Sequence, residues 1–555
     1  MKLSGARIIM QCLVEEGVKV MYGIPGGAIT PLYDVLPEFP SVHHVLVRHE
    51  QGAAHMADGY ARASQDVGVC CATSGPGALN LVPGIAAAYL DSSPVVAITA
   101  NVPTSMIGKD VFQECDITGI TLPITKHNYL VERVQDLPRI MKEAFYLART
   151  GRPGPVLVDV PKDVLLAETV FAYPKSVDLP GYSPTIQGNM AQIRKAAALI
   201  NEAKKPVIIA GQGVLISRAE KELLEMAETT NVPVITTLLG IGGFPESHPL
   251  SFGLLGLHGM AYANYAVHEC DLMVAMGMRF DDRVTGKVEE FAPNARVVHI
   301  DIDPAEIGKN VHVTVPIVGD VRSVLQRMNK EVARANHQEW IDQICAWRVQ
   351  HPATEVRDSE TLLPQMPIKT IYDVTEGKAI VVADVGQHQM WAAQLYWFNE
   401  PYQFVTSGGM GTMGFSLPAS IGVKMARPDR EVWVVIGDGS MQMNMQELAT
   451  AVQEGVEVKI ALINNFCLGM VRQIQDLFFE KNFVATPLSG PNWAKIADAY
   501  GIHAITVTAP DQVRPAVEEA RRVKGPVLID FQVEADENVY PMVKPGRSLG
   551  EVIIR

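Results

Sequence analysis

Positive charge is scarce in this sequence. Its 555 residues hold 47 Lys and Arg against 61 Asp and Glu, a net charge of −14, and no basic tract stands out. The electrostatic footprint of a nucleic-acid-binding protein is missing, which argues against such a partner. Cysteine is sparse and scattered, 7 residues with one adjacent pair, Cys70-Cys71, and no metal-type spacing. An odd count without a framework argues against a disulfide scaffold and suits buried free thiols in a reducing compartment. Signal and transit composition are absent from the opening residues, so a cytoplasmic setting is expected. The stretch between Asp66 and Asp91 lacks charge and is long enough to raise the question of a membrane span. Ser74-Gly75-Pro76-Gly77 breaks it early. It reads as a buried strand, a turn and a buried helix, and no membrane partner is expected.

What is present is the pattern of a large α/β protein. The chain is 48% hydrophobic and too long for one core. Short apolar runs ending in Gly, Asp or Pro alternate with helical patterns, the signature of parallel sheets. An internal echo divides the chain. Thr73-Ser74-Gly75-Pro76-Gly77, a small-residue helix and Gly154-Pro155-Val156-Leu157-Val158-Asp159 come in that order. Near the other end, Thr406-Ser407-Gly408-Gly409, a similar helix and Gly525-Pro526-Val527-Leu528-Ile529-Asp530 repeat it. Two related domains are expected, with a third between them opening at Pro206-Val207-Ile208-Ile209-Ala210-Gly211-Gln212-Gly213. Polar, Pro-containing segments near Tyr173–Pro184 and His351–Pro367 read as linkers. The expectation is three doubly wound parallel-sheet domains, over 1–172, 188–350 and 366–555.

The chemistry is most legible near the C-terminal end. Val434-Val435-Ile436-Gly437-Asp438-Gly439-Ser440 ends a strand-like run, and Ile460-Ala461-Leu462-Ile463-Asn464-Asn465 ends a second one. A helix crossing between parallel strands brings Asp438 and Asn465 to one carboxyl edge, where open α/β sheets bind ligands. A carboxylate and an amide oxygen are hard ligands suited to Mg²⁺, which usually also takes phosphate oxygens. Glycines let backbone N–H groups approach a diphosphate. Taken alone, Gly-Asp-Gly is an ordinary helix start; the matched Asn-Asn gives it meaning, and the pair resembles the thiamine-diphosphate (ThDP) binding motif. Such enzymes need a carboxylate beside the aminopyrimidine to favour its imino tautomer. Glu50, in Arg48-His49-Glu50-Gln51-Gly52-Ala53-Ala54, is the candidate. Its bland reading is an acidic residue in the first turn of a helix.

Over essentially its whole length the chain resembles the catalytic subunits of acetohydroxyacid synthases. The resemblance is carried by Gly23-Ile24-Pro25-Gly26-Gly27, the Glu50 segment, Ala72–Gly77, Phe112-Gln113-Glu114 and Gly151-Arg152-Pro153-Gly154-Pro155. It continues in Arg279-Phe280-Asp281-Asp282-Arg283-Val284-Thr285-Gly286, Val385-Gly386-Gln387-His388-Gln389-Met390-Trp391, Thr406–Gly414 and Val539-Tyr540-Pro541-Met542-Val543.

The resemblance implies roles. Glu50 activates the cofactor, and Gly27, Gln113, Lys162 and Arg283 complete the catalytic set, Arg283 receiving the carboxylate of the second 2-oxo acid. Gly411 accepts from the aminopyrimidine amine through its carbonyl, and Met413 wedges under the bent cofactor. Gln387 and His388 contact the diphosphate, and Val385 and Gly386 also touch the cofactor. Gly437, Gly439, Ser440, Leu468, Gly469 and Met470 are further contacts. Asp438, Asn465 and the carbonyl of Cys467 hold Mg²⁺. FAD contacts are implied at Arg152, Gly211, Gly213, Thr236, Leu257 and His258. Gly277, Arg279, Asp281, Arg283, Val284, Asp301 and Asp320 complete that set. For Asp301 and Asp320 a strand-end cap is the competing reading.

The implied reaction decarboxylates pyruvate and condenses the two-carbon unit with pyruvate or 2-oxobutyrate, toward branched-chain amino acids. A homodimer or homotetramer with shared active sites and a separate regulatory subunit are implied. One position departs: Ile474 stands where most members of the family carry Trp in the acceptor pocket. The rivals are glyoxylate carboligase, which has an apolar residue where Glu50 stands, a flavin-dependent pyruvate oxidase, and a non-catalytic relative.

Overall fold

The computed structural model describes residues 2–352 and 355–554. Three six-stranded sheets, parallel throughout, organise it. The first contains Val20–Gly23 (β1), His43–Leu46 (β2), Gly68–Ala72 (β3), Val95–Asn101 (β4), His127–Leu130 (β5) and Val156–Pro161 (β6), in the order 2-1-3-4-6-5. The second contains Pro206–Ala210 (β7), Val234–Thr236 (β8), Ser251–Leu254 (β9), Leu272–Met276 (β10), Arg296–Asp301 (β11) and Val315–Val318 (β12), in the order 9-8-7-10-11-12. The third contains Ile380–Ala383 (β13), Phe404–Thr406 (β14), Val432–Gly437 (β15), Val458–Asn464 (β16), His503–Val507 (β17) and Val527–Gln532 (β18), in the order 14-13-15-16-18-17. The outer sheets share one topology, as the internal echo implies. The middle sheet has the strand order of dinucleotide-binding folds, with its switch point between β7 and β10.

The strands are short continuous apolar runs because helices cover both faces. Five helices matter for the site: Glu50–Ser64 (α1), Gln387–Leu395 (α2), Ser416–Ala426 (α3), Asp438–Asn444 (α4) and Gly469–Phe478 (α5). The outer sheets share one hydrophobic core, in which Ala53 and Met56 of α1 meet Leu417 and Ile421 of α3. Glycine sets that closeness. A Cβ on Gly59 would lie 2.2 Å from the Ala419 carbonyl oxygen, and one on Gly422 would lie 2.0 Å from that of Met56.

The uncharged stretch after Asp66 forms strand β3 and then two short helices, Pro76–Asn80 and Val82–Leu90, rather than one. The segment near Tyr173–Pro184 lies against the first sheet's unit, where Lys126 donates to the Tyr182 hydroxyl at 2.8 Å. The other expected linker, 351–367, includes residues 353 and 354, outside the described residues. Its end is helical, because helix Gln365–Thr375 takes Pro367 in its first turn, where a missing N–H costs nothing. Among the described residues no helix is long and apolar enough to cross a membrane, and all seven cysteines are free.

Candidate active site

One group of predicted residues collects at the carboxyl edge of the first sheet. Glu50 opens α1 beyond β2, with His49 as its N-cap. It is only 8% exposed, and its Oε2 accepts a hydrogen bond from Asn80 Nδ2 at 2.9 Å. Gly77 leaves the room: a Cβ there would lie 3.2 Å from Glu50 Oε1 and 2.8 Å from Thr73 Cγ2. Gly26 and Gly27 follow β1, and a Cβ on Gly26 would overlap Thr73 at 2.5 Å. Lys162, just past β6, donates Nζ to the Gly27 carbonyl at 2.9 Å. Gln113 takes φ +60° on the loop beyond β4, its backbone against Gly75.

A second group collects at the same edge of the third sheet. The His388 ring lies against Gly386 and Gly437; a Cβ on either would come within 2.8 Å of its Cε1. Burial pulls the His388 imidazole down to about 4. Asp438 begins α4 directly after β15. Burial pushes its carboxyl up to about 7, opposed by the backbone N–H groups of Gly439 and Phe466. His388 Nε2 and Asp438 Oδ2 are both buried without a hydrogen-bond partner among the described residues. Asn465 accepts from the Cys467 N–H at 3.3 Å and donates to Gln387 Oε1 at 3.4 Å. Gly469 permits that contact, since a Cβ there would lie 2.1 Å from Gln387 Oε1. Cys467 is buried, and burial pushes its thiol up to about 11, so the side chain is neutral. Leu468 and Met413 close over Gly439, where a Cβ would meet them at 2.8 and 3.5 Å. Ser440 Oγ lies 3.5 Å from the Val385 carbonyl.

Among the described residues no hydrogen bond or ion pair joins Glu50 to Asp438. Glu447 is one link between the two units. Its fully buried carboxylate, from the turn after α4, accepts the Arg48 N–H at 3.1 Å and sits against Gly52. A carboxylate of the third unit thus caps the start of α1, where the helix dipole favours it.

The third group lines a cavity of about 1200 Å³ between the middle and third sheets. Gly213 and Gly277 stand on its wall at the switch point. Gly211 packs behind them, where a Cβ would fall 2.2 Å from the Gly277 carbonyl. The N–H groups of Gly211 and Gly213 are taken by the carbonyls of Met276 and Gly277, at 2.9 and 3.0 Å. These glycines therefore serve close packing of two turns rather than offering free donors. Arg152 reaches the cavity from the first unit, with Nη1 2.9 Å from Glu306 and 3.2 Å from Asp303. Arg279, Leu257, His258 and Val284 also line it, and burial pulls His258 down to about 4. The cap reading of Asp301 and Asp320 holds as well, and Asp281 caps a short helix too. Asp281 accepts the Arg283 and Val284 N–H groups, Asp320 that of Ser323, and Asp301 that of Asp303. All three still face the cavity, and burial pushes Asp301 up to about 6. Thr236 is elsewhere, fully buried with its hydroxyl on the Gly253 carbonyl at 3.3 Å. Val385, Gly386, Gly411 and Met413 form the shared wall with the second group. Arg283, Met470, Ile474 and Met542 stand at the same cavity.

Comparison with known proteins decides the family. Three models of thiamine pyrophosphate enzymes match: the N-terminal TPP binding domain over residues 3–120, the central domain over 193–328 and the C-terminal TPP binding domain over 384–531. The acetolactate synthase large subunit of Corynebacterium glutamicum is 49% identical, covering 99% of this chain and 90% of its own length. The Escherichia coli K12 acetolactate synthase isozyme 3 large subunit is 44% identical, covering 99% and 98%. A probable acetolactate synthase large subunit of Methanocaldococcus jannaschii is 46% identical, covering 99% and 95%. The chain belongs to the acetolactate synthase large subunits. Within that thiamine pyrophosphate enzyme family, Asn80, Asp91, Asp384 and Glu447 are residues the motifs did not single out. Each acts through a tertiary hydrogen bond, and no spacing in the sequence announces it.

Proposed function

We propose that the protein is a ThDP-, Mg²⁺- and FAD-dependent acetolactate synthase. It decarboxylates one pyruvate and joins the remaining two carbons to a second 2-oxo acid. Pyruvate as acceptor gives 2-acetolactate, and 2-oxobutyrate gives 2-aceto-2-hydroxybutyrate. The observation that carries the reading is the shared cavity: the dinucleotide-type switch point of the middle sheet opens onto the turns holding Gly411, Met413 and Val385.

The residues present suit ThDP and its metal. Asp438 Oδ2 and His388 Nε2 are buried polar atoms without partners among the described residues, a costly state in a closed site. Gly386, Gly437, Gly439 and Gly469 keep the space around them clear of Cβ atoms. When bound, the cofactor supplies the electron sink for decarboxylation. Asp438, Asn465 and the Cys467 carbonyl would hold Mg²⁺ against the diphosphate, beside Gln387 and His388. Glu50, held by Asn80, would keep a proton at the aminopyrimidine ring nitrogen. The Gly411 carbonyl would orient the exocyclic amine, and Met413 would support the bend. The Gly27 N–H and the Gln113 amide would polarise the reacting oxygen, with Lys162 fixing the Gly27 turn. Arg283 would receive the acceptor's carboxylate.

We place the complete site between two copies of the chain; the separate edges that hold Glu50 and Asp438 support this. Exposed apolar side chains at both edges support this: Phe112 is 87% exposed beside Gln113, and Phe466 is 45% exposed beside Asn465. The name large subunit, carried by relatives, supports a smaller regulatory partner. Incubation with pyruvate, with and without 2-oxobutyrate, followed by product identification tests the reading. Acetolactate alone, then both products, is expected; acetyl phosphate or acetate with peroxide would replace it by an oxidase.

A further inference from the structure

The segment Ser407–Phe415 is neither helix nor strand, running from the end of β14 to the start of α3. It contains Gly408, Gly409, Gly411 and Gly414, the last two at φ +65° and +86°. Four glycines give such a loop wide conformational freedom, so something outside it must fix its shape.

Two fully buried carboxylates hold it, one at each end, helped by the Asn444 amide, which donates to the Gly414 carbonyl at 2.8 Å. At the entry, Asp91 accepts the Gly409 N–H at 2.6 Å through Oδ1 and the Gly408 N–H at 3.1 Å through Oδ2. Asp91 comes from the first unit, beyond helix Val82–Leu90, and is itself held by Arg62 Nη2 at 2.8 Å. Arg62 also donates to the Thr406 carbonyl at 2.7 Å. At the exit, Asp384 accepts the Gly414 N–H at 2.9 Å and the Ser416 N–H at 2.8 Å, one on each oxygen. Asp384 Oδ1 also accepts the Val385 N–H at 2.8 Å, so it ties two cavity-lining turns into one register. The apex between these anchors carries the Gly411 carbonyl and Met413. Its own support is slight: the Thr412 N–H reaches Ser407 Oγ at 3.0 Å. A tilt at either end would be carried straight to the apex.

We infer that Asp91 and Asp384 are positioning residues, which set the height of the Gly411 carbonyl and the Met413 side chain against the cofactor. The inference rests on the ThDP assignment above. Asn in place of either Asp keeps the shape but turns one acceptor into a donor facing an N–H.

The experiment compares the full-length protein with Asp384→Asn and Asp91→Asn. Backbone amide exchange is read first, without added cofactor. Exchange at 408, 409, 414 and 416 should rise by about tenfold or more in the matching variant, with the rest of the molecule unchanged. On adding ThDP and Mg²⁺, half-saturating ThDP should rise about tenfold and kcat with pyruvate should fall about 10- to 100-fold, the scale of a small misplacement. The pyruvate KM should stay within about threefold, because the substrate's own contacts are untouched. Wild-type kcat and ThDP affinity in both variants would overturn the inference, as would losses matched by global loss of exchange protection. If one variant does not fold, the other, acting at the opposite end of the loop, decides. If the wild-type protein makes no acetolactate, the exchange and ThDP-binding arms still judge the clamp, and only the proposed reaction fails.

Discussion

At the scale of single residues, the legible positions were those whose chemistry is fixed by spacing along the chain. Asp438 and Asn465 declare themselves because each ends an apolar run, and the structure sets each just past the end of one of the adjacent strands β15 and β16. Glu50 was readable only with its neighbours, since an acidic first-turn residue is ordinary by itself. Its partner Asn80 was not readable, because the bond is made by helix packing. Replacing Glu50 with Gln keeps the Asn80 contact in shape but removes the anionic acceptor; turnover should fall by at least about a hundredfold in a steady-state assay with saturating ThDP. Near-normal turnover would remove Glu50 from the mechanism. Ile474 belongs to the same scale. It stands on the cavity wall with Met470 and Met542, and a flat indole there would fit one extra methylene more closely than a branched aliphatic does. A fitted methylene is worth about 1–3 kcal/mol. The unmodified protein should show a weak preference for 2-oxobutyrate over pyruvate at equal concentration, and Ile474→Trp should strengthen it. A strong bias that Ile474→Trp leaves unchanged would place acceptor choice elsewhere.

At the scale of elements, strands and the turns that follow them were the clearest signal, because parallel strands buried on both faces must be short and apolar. What the pattern hid was the crossing of α1 and α3. A glycine inside a helix costs about 1 kcal/mol relative to Ala; at Gly59 and Gly422 it lets each helix lie against a carbonyl of the other. Gly422→Val should overpack this contact and lower stability by about 1–3 kcal/mol or more, seen as a drop in Tm. An unchanged Tm would mean that the helices part at no cost. The turn after β15 offers a second test. Asp438→Ala removes the only carboxylate of the proposed metal set, so Mg²⁺-dependent ThDP binding should be lost in a calorimetric titration. Binding at wild-type affinity would refute the metal assignment.

At the scale of the whole molecule, the internal echo anticipated two sheets of one topology, and the sheet orders bear it out. It did not anticipate that these two sheets share a core, or that Leu254 of the middle sheet joins a further core on the third sheet. Shared burial between distant segments leaves no local trace in sequence. The consequence for function is an outer pair of units packed through one core, with a dinucleotide-type unit opening onto it. The proposed reaction is redox-neutral overall, which separates it from an oxidase built on the same three units. The most direct measurement follows CO₂, acetolactate and oxygen together, using the protein with added FAD, Mg²⁺, ThDP and pyruvate alone. The account predicts one acetolactate for each CO₂ released and no stoichiometric oxygen uptake. Oxygen consumed in step with CO₂, with little acetolactate formed, would contradict it.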